Sequence, residues 1–427
     1  LDKLVKQKKI FLDHVKIERS EIEETGEYDL EGLFIRLGHA VDSIGAKRVV
    51  LDTLEALFAS LPNEAVLRAE LRRLFRWLKD RGLTAVITGE RGEKSLTRYG
   101  LEEYVADCVI LLDHRVRHQI STRRLRIVKY RGSSHGTNEY PFLITDSGFS
   151  VLPITSMLLE HKASSQRISS GVKDLDAMMR GGGFYRGSSI LVTGSAGTGK
   201  SSLAAAFLHA ACARAERALL FAYEESPSQI IRNMRSIGYD LEHWVKKGLL
   251  GIHASRPTLG GLEQHLVAMH RTIVEFKPAV VVVDPISNLT MERKDADVKP
   301  MLMRLIDHLK VRNITALFTS LTDVSATMQE DSEVGVSSLM DTWLLLRNVE
   351  HNGERSRALV LLKARGIAHS NQVREFVLSD KGVALIDIHV QDGRVITGRA
   401  RIAVEQAATA APSEQRRAAS VAKTRKR

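Results

Sequence analysis

Residues 189–201 read Ser189-Ile-Leu-Val-Thr-Gly194-Ser-Ala-Gly197-Thr198-Gly199-Lys200-Ser201. The apolar run Ile190-Leu191-Val192 predicts a strand, and Ser202-Leu-Ala-Ala-Ala-Phe-Leu-His-Ala-Ala211 predicts a helix. Between them stands GxxxxGK[ST], the spacing of a phosphate-binding loop. Small residues let successive backbone N–H groups close around phosphate oxygens, and the helix N-terminus adds a favourable dipole. Gly194, Gly197, Thr198, Gly199, Lys200, Ser201 and Ser202 are therefore expected to bind ATP. Lys200 reaches the β and γ phosphates in such loops, and Ser201 takes the place of the Mg²⁺-binding hydroxyl.

The bulk numbers suit a protein built around that loop. A chain of 427 residues predicts two or three domains. Hydrophobic content of 44% and charged content of 26% allow ordinary cores. No stretch approaches 18 apolar residues, so no membrane span is expected, and no signal-peptide pattern opens the chain. Cys108 and Cys212 stand in no metal-ligand spacing, which predicts structural thiols in a reducing, cytoplasmic setting. The net charge of +11 raises the question of nucleic acid. Residues 413–427 alone carry a net of +5, leaving +6 over the other 412 residues, so much of the excess is a basic tail.

Residues 1–150 alternate helical and strand patterns. Helices are expected over Asp29–Ile44 and Asn63–Arg81, and strands at Arg48-Val-Val-Leu-Asp52, Thr84–Thr88, Val109–Leu112 and Leu125–Lys129. This alternation predicts an α/β fold, a mostly parallel sheet with helices on both faces. The second half repeats the order. Asp52 matches Asp284 at an offset of 232, Lys129-Tyr-Arg131-Gly matches Lys363-Ala-Arg365-Gly at 234, and Asp146-Ser-Gly matches Asp380-Lys-Gly at 234. Two tandem copies of one lobe are therefore expected. The first covers 1–152, a polar joint 153–168, the second copy 169–388, and an extension ending in a disordered basic tail 389–427. The first copy has no counterpart of the phosphate loop, since residue 1 aligns near Leu241. Either a parent protein carries about ninety further residues or the lobe is shortened, and the absence of an initiator methionine favours the former.

Hydrolysis or transfer needs an acid to hold metal and a group to orient the attacking oxygen. Asp284 ends the run Val280–Val283 and suits the metal role beside Ser201, against the plainer reading of an Asp-Pro turn. Glu224 and Glu225 follow the apolar run Ala218–Tyr223, where glutamate is depleted, and Glu224 is the preferred general base. Lys363 and Arg365 stand at i, i+2, on one face of a strand, and the pair recurs as Lys129 and Arg131 in the first lobe. Exposed strand cations are usually only solvated. The recurrence makes a phosphate-contacting role in trans the better reading, and such fingers add on the order of 10³–10⁵ in rate.

Taken together, the two-lobe repeat, Ser169-Ser-Gly…Leu175-Asp176…Gly181-Gly-Gly183, the phosphate loop, Tyr223-Glu224-Glu225-Ser226 and both Lys-x-Arg-Gly motifs resemble the KaiC circadian-clock ATPases, a branch of the RecA superfamily. The resemblance covers about residues 1–385. It implies tandem RecA-like lobes, a homo-hexameric double ring with ATP and Mg²⁺ between subunits, slow ATPase activity in the first lobe, and autokinase with autophosphatase activity in the second. The family's adjacent phosphoacceptors fall on Ser337 and Ser338, ahead of Asp341-Thr342, whereas the first lobe has Glu103 and Tyr104 at that place. The stretch beyond Gly382 does not match the family's tail that binds the KaiA activator. That sets a KaiA-type activator in doubt and points to KaiC-like proteins outside the clock lineage, with protein signalling partners. Two other readings compete. A RecA-like DNA motor, not favoured, would bind DNA with strong salt dependence, but aromatic content of 5% weakens a stacking platform. A nucleotide-gated scaffold would assemble without phosphorylation.

Overall fold

The computed structural model describes residues 1–14, 31–53, 55, 64–92, 96, 105–117, 120–145, 148–151, 163–259, 261–289, 295–322, 337–351, 354–391 and 394–396. They divide into two units, residues 1–113 with 124–139, and residues 114–123 with 140–427. The expected joint up to residue 162, the Glu103–Tyr104 pair, and the tail from residue 397 lie outside the described residues.

The first unit starts with the short helix α1 (Asp2–Lys6), then α2 (Glu31–Ile44), β1 (Arg48–Leu51), α3 (Glu64–Asp80) and β2 (Thr84–Ile87). β1 and β2 pair in parallel, Arg48 opposite Thr84 and Leu51 opposite Ile87. Leu71, Leu74 and Leu78 recur at helical spacing on α3 and pack with Leu33, Phe34 and Leu51 into one small core. Next in the chain, strands β3 (Cys108–Arg117) and β4 (Ile120–Tyr130) each include residues of both units, and β5 (Glu139–Thr145) after its first residue and β6 (Gly148–Val151) belong to the second.

The second unit continues with β7 (Arg167–Ile168), α4 (Lys173–Met178) and β8 (Phe184–Tyr185). The strand leading into the phosphate loop is β9 (Ser189–Gly194), and the helix after it is α5 (Lys200–Ala213). Then come β10 (Ala218–Ala222), α6 (Pro227–Arg235), α7 (Leu241–Lys246), β11 (Leu250–Ala254), α8 (Leu262–Phe276), β12 (Val280–Asp284), α9 (Asp295–Val311) and β13 (Thr315–Leu321). The chain continues through β14 (Thr342–His351), β15 (Glu354–Ala364), β16 (Arg374–Ser379) and β17 (Gly382–Asp387), and β18 (His389–Gln391) and β19 (Arg394–Ile396) pair antiparallel.

One nine-stranded sheet runs β11-β10-β12-β13-β9-β14-β15-β16-β17. Its first six strands are parallel, and β14 to β17 turn back on one another in antiparallel pairs. β9 therefore lies near the middle, between β13 and β14. The valines of β12 are buried on both faces, as a central parallel strand requires. Val280 and Val282 pack on the α5 side, and Val281 and Val283 on the α8–α9 side.

The strand bounds repeat. Cys108–Arg117 and Ile120–Tyr130 reappear as Thr342–His351 and Glu354–Ala364, 234 residues later at every boundary. The environments do not repeat. Leu346 is 1% exposed in the core beside α5, while Leu112, at the same register, is 54% exposed. Val50 (65%) and Val282 (0%), 232 apart, contrast in the same way. The physical reason is the helix after the phosphate loop, which covers that sheet face in the second unit and has no counterpart among the described residues of the first. Leu346→Ala should therefore cost about 2–5 kcal/mol of stability. Leu112→Ala, the same chemical change, should cost less than about 1 kcal/mol. Denaturant unfolding of both variants beside the parent protein checks the difference.

Candidate functional site

The loop between β9 and α5 is shaped by what its glycines permit. A Cβ on Gly194 would stand 2.3 Å from the Leu346 carbonyl oxygen of β14, too close for any side chain. Gly199, the N-cap of α5, has φ +98°, and a Cβ there would also meet the Phe376 ring at 2.6 Å. The first carbonyl–amide bond of α5 runs from Leu203 N to Gly199 O at 3.0 Å. The N–H groups of Lys200, Ser201 and Ser202 are thus without intrahelical acceptors and form an anion-binding end.

Lys200 is buried, and its Nζ donates to Gly194 O at 2.7 Å and Ser195 O at 2.8 Å. Burial pulls its pKa down, and the nearby Asp284 and Glu224 carboxylates push it back up. Thr198 Oγ1 donates to Ser195 O at 2.9 Å and closes the turn. Neighbouring strands hold the loop from outside. Asn348 of β14 donates to Ser195 Oγ at 3.3 Å, and Arg357 of β15 donates to Gly197 O at 3.1 Å. Trp343 Nε1 reaches Thr193 Oγ1 at 2.9 Å. Sequence reasoning missed all three, because each pairing spans 150 residues or more.

Asp284 stands at the C-terminal end of β12, where Ser201 and Thr319 donate hydrogen bonds to its carboxylate. Burial raises its pKa first and Glu224 adds to that, while the two hydrogen bonds and Lys200 oppose. The donor set available for a divalent cation is a hydroxyl and a carboxylate, both hard oxygens. Such a pair fits Mg²⁺, which keeps waters and phosphate oxygens in its remaining positions. Among the described residues no three His, Cys, Asp or Glu gather as a metal-binding group.

Glu224 and Glu225 differ. Glu224 is electrostatically linked to both Lys200 and Asp284, and its Oε1 accepts from Asn288 Nδ2 at 2.9 Å. Glu225 accepts instead from Asn233 on α6 at 3.2 Å. The structure therefore brings Lys200, Ser201, Asp284 and Glu224 together and leaves Glu225 to one side.

Lys363 and Arg365 do not join them. Lys363 lies at the end of β15 and Arg365 one residue beyond it. Lys363 Nζ donates to Ser337 O at 3.0 Å, and Arg365 Nη2 to Ser338 O at 2.7 Å. The 3₁₀ turn Ser337–Leu339 carries both serines, with Ser338 exposed and Ser337 half-buried. It is tied to the start of β9, since Asp341 accepts from Ser189 N and Oγ, each at 2.9 Å, and pairs with Lys310 at 2.8 Å. Burial pushes the Asp341 carboxyl up, but the hydrogen bonds from Lys310 and Ser189 outweigh that and hold it below its usual value. Ser189 and Gly194 are the two ends of β9, about 16 Å apart along an extended strand. The serine–cation cluster and the phosphate loop of one chain therefore sit at opposite edges of the sheet. In the first unit Lys129 is the last residue but one of β4, and Arg131, just beyond the strand, pairs with Asp107 at 3.7 Å. Cys108 and Cys212 are free, and burial pushes the Cys212 thiol up to about 11, which keeps it protonated and unreactive. Among the described residues no helix is long and apolar enough to cross a membrane.

A family model described as "ATPase: KaiC" matches residues 1–156 and 168–390. The chain is 57% identical over 403 residues to the circadian clock protein KaiC2 of Synechocystis sp., covering 94% of this chain and 71% of that protein. It is 39% identical over 409 residues to the circadian clock oscillator protein KaiC of Synechococcus elongatus, covering 95% and 79%. KaiC ATPase domains are RecA-like, and the large sheet with helices on both faces agrees with that fold.

Proposed function

Because this chain belongs to the KaiC family of P-loop ATPases, we propose that it assembles as a homo-hexameric ring in which each second unit phosphorylates the serines of a neighbour. ATP would lie on the N-terminal end of α5, with Lys200 neutralising the β and γ phosphates. Ser201 and Asp284 would hold Mg²⁺, which when bound shields the charge of the phosphate oxygens. Ser337 or Ser338 Oγ from the adjoining protomer would attack the γ-phosphorus as the bond to the β–γ bridging oxygen breaks. ADP leaves, and the hydroxyl proton passes to Glu224. Lys363 and Arg365, entering with those serines, would offset the charge that develops on the transferring group.

The observation that carries this reading is the separation along β9. One chain cannot bring its own serines and cations to its own phosphate loop, yet the two half-sites lie on opposite edges of one sheet, as a head-to-tail ring requires. Protein partners would then read the phosphorylated state. The test is peptide mass spectrometry after incubation with Mg²⁺ and ATP. Phosphate is expected on Ser337 or Ser338 and is expected to vanish in Lys200→Ala. ATP turnover with no phosphate on either serine would overturn the autokinase and leave a nucleotide-gated assembly.

A further inference from the structure

Asn288 has no place in the machinery described so far, yet it touches the group proposed as the base. It lies in the 3₁₀ turn Ser287–Leu289, four residues past Asp284. That turn is rigidly seated. Ile286 N donates to Thr319 O at 2.8 Å, and Leu321 N donates to Ser287 Oγ at 3.1 Å. Ile286 and Leu289, on either side, are buried in the core beneath α8 and α9. A short side chain with two rotatable bonds on so fixed a backbone holds its amide in a narrow range of positions.

The amide has two ends with different fates. Its Nδ2 donates to Glu224 Oε1 at 2.9 Å, which leaves Glu224 Oε2 to receive a proton. The opposite orientation would set an amide oxygen against a carboxylate and is unfavourable, so this N–H assignment follows from the neighbour. Its Oδ1 is buried and accepts no hydrogen bond from the described residues. Glu224 itself is exposed at the end of β10 and would otherwise sample many rotamers.

We propose that Asn288 is a positioning residue for the phosphoryl-transfer step, fixing the Glu224 carboxylate so that its free oxygen is held ready for the proton of the attacking O–H. This rests on the assignment of Glu224 as base. The steady-state ATP turnover of Asn288→Ala should fall by about 10–100-fold, as misplacement of a reacting group by about 1 Å does, with KM for ATP and thermal stability nearly unchanged. Asn288→Asp, which sets a second carboxylate against Glu224, should fall further. In a Glu224→Gln background, residual turnover measured with radiolabelled ATP should be no lower when Asn288→Ala is added, because both changes act on one unit. Wild-type turnover in Asn288→Ala alongside a failing Glu224→Gln would overturn the role of Asn288 and leave the base standing. A further loss in the double variant, multiplying the two single effects, would also overturn it. Wild-type turnover in Glu224→Gln would overturn the base and Asn288 together.

Discussion

Lys200→Ala is expected to lower ATP turnover by about 10²–10³-fold, the loss typical of removing one donor aimed at developing charge. The side chain is already committed to the loop, since it donates to Gly194 O and Ser195 O from a nearly solvent-free position. Burial disfavours its charge, and Asp284 and Glu224 restore it. In the proposed reaction, incoming phosphates would add negative charge at the same place, and the ammonium would exchange two carbonyls for β and γ oxygens with little reorganisation. Alanine removes this cation and leaves the buried Asp284 carboxylate without a positive charge that opposes its protonation. Nucleotide affinity and single-turnover rate, measured on the same preparation, should both fall.

Arg365→Ala is expected to lower turnover by about 10³-fold or more, although Arg365 lies at the far end of β9 from the phosphate loop of its own chain. An effect of that size from a residue that cannot reach the loop within its own chain requires a second protomer. The effect should be kinetic. Arg365 donates to Ser338 O from an exposed position, so its removal should change thermal stability little. If turnover instead stayed within about twofold of the parent, the guanidinium would be a tether for the Ser337–Leu339 turn and nothing more.

Much of the nucleotide site was legible in the sequence because it is built from local signals. Strand, glycines, lysine and helix are contiguous over 189–213, and the glycines at 194 and 199 are required by backbone geometry that the motif encodes. Asp284 and Glu224 end apolar runs, and a run's end is readable without a partner. Glu224 and Glu225 are adjacent in sequence, and only the fold sets Glu224 against Asn288 and turns Glu225 to Asn233. Asn288 escaped notice because its significance is a contact 64 residues distant. The i, i+2 spacing of Lys363 and Arg365 implied a shared face but could not say which edge of the sheet they occupy. That depends on β14 and β15 pairing antiparallel beside β9. Likewise Val109–Leu112 read as an apolar strand, and only the structure shows that Ile110 and Leu112 are exposed, on a face that no helix among the described residues covers.

The central claim, that one protomer completes another's site, is tested most directly by mixing. Lys200→Ala and Arg365→Ala should each be nearly inactive alone. Co-assembled in equal amounts with Mg²⁺ and ATP, a loop from Arg365→Ala can meet an arginine from Lys200→Ala. Random rings would then hold about one intact interface in four, so turnover should recover to about a quarter of the parent value. Turnover that stays at the average of the two variants would contradict the claim and return Lys363, Arg365, Ser337 and Ser338 to a role within their own chain.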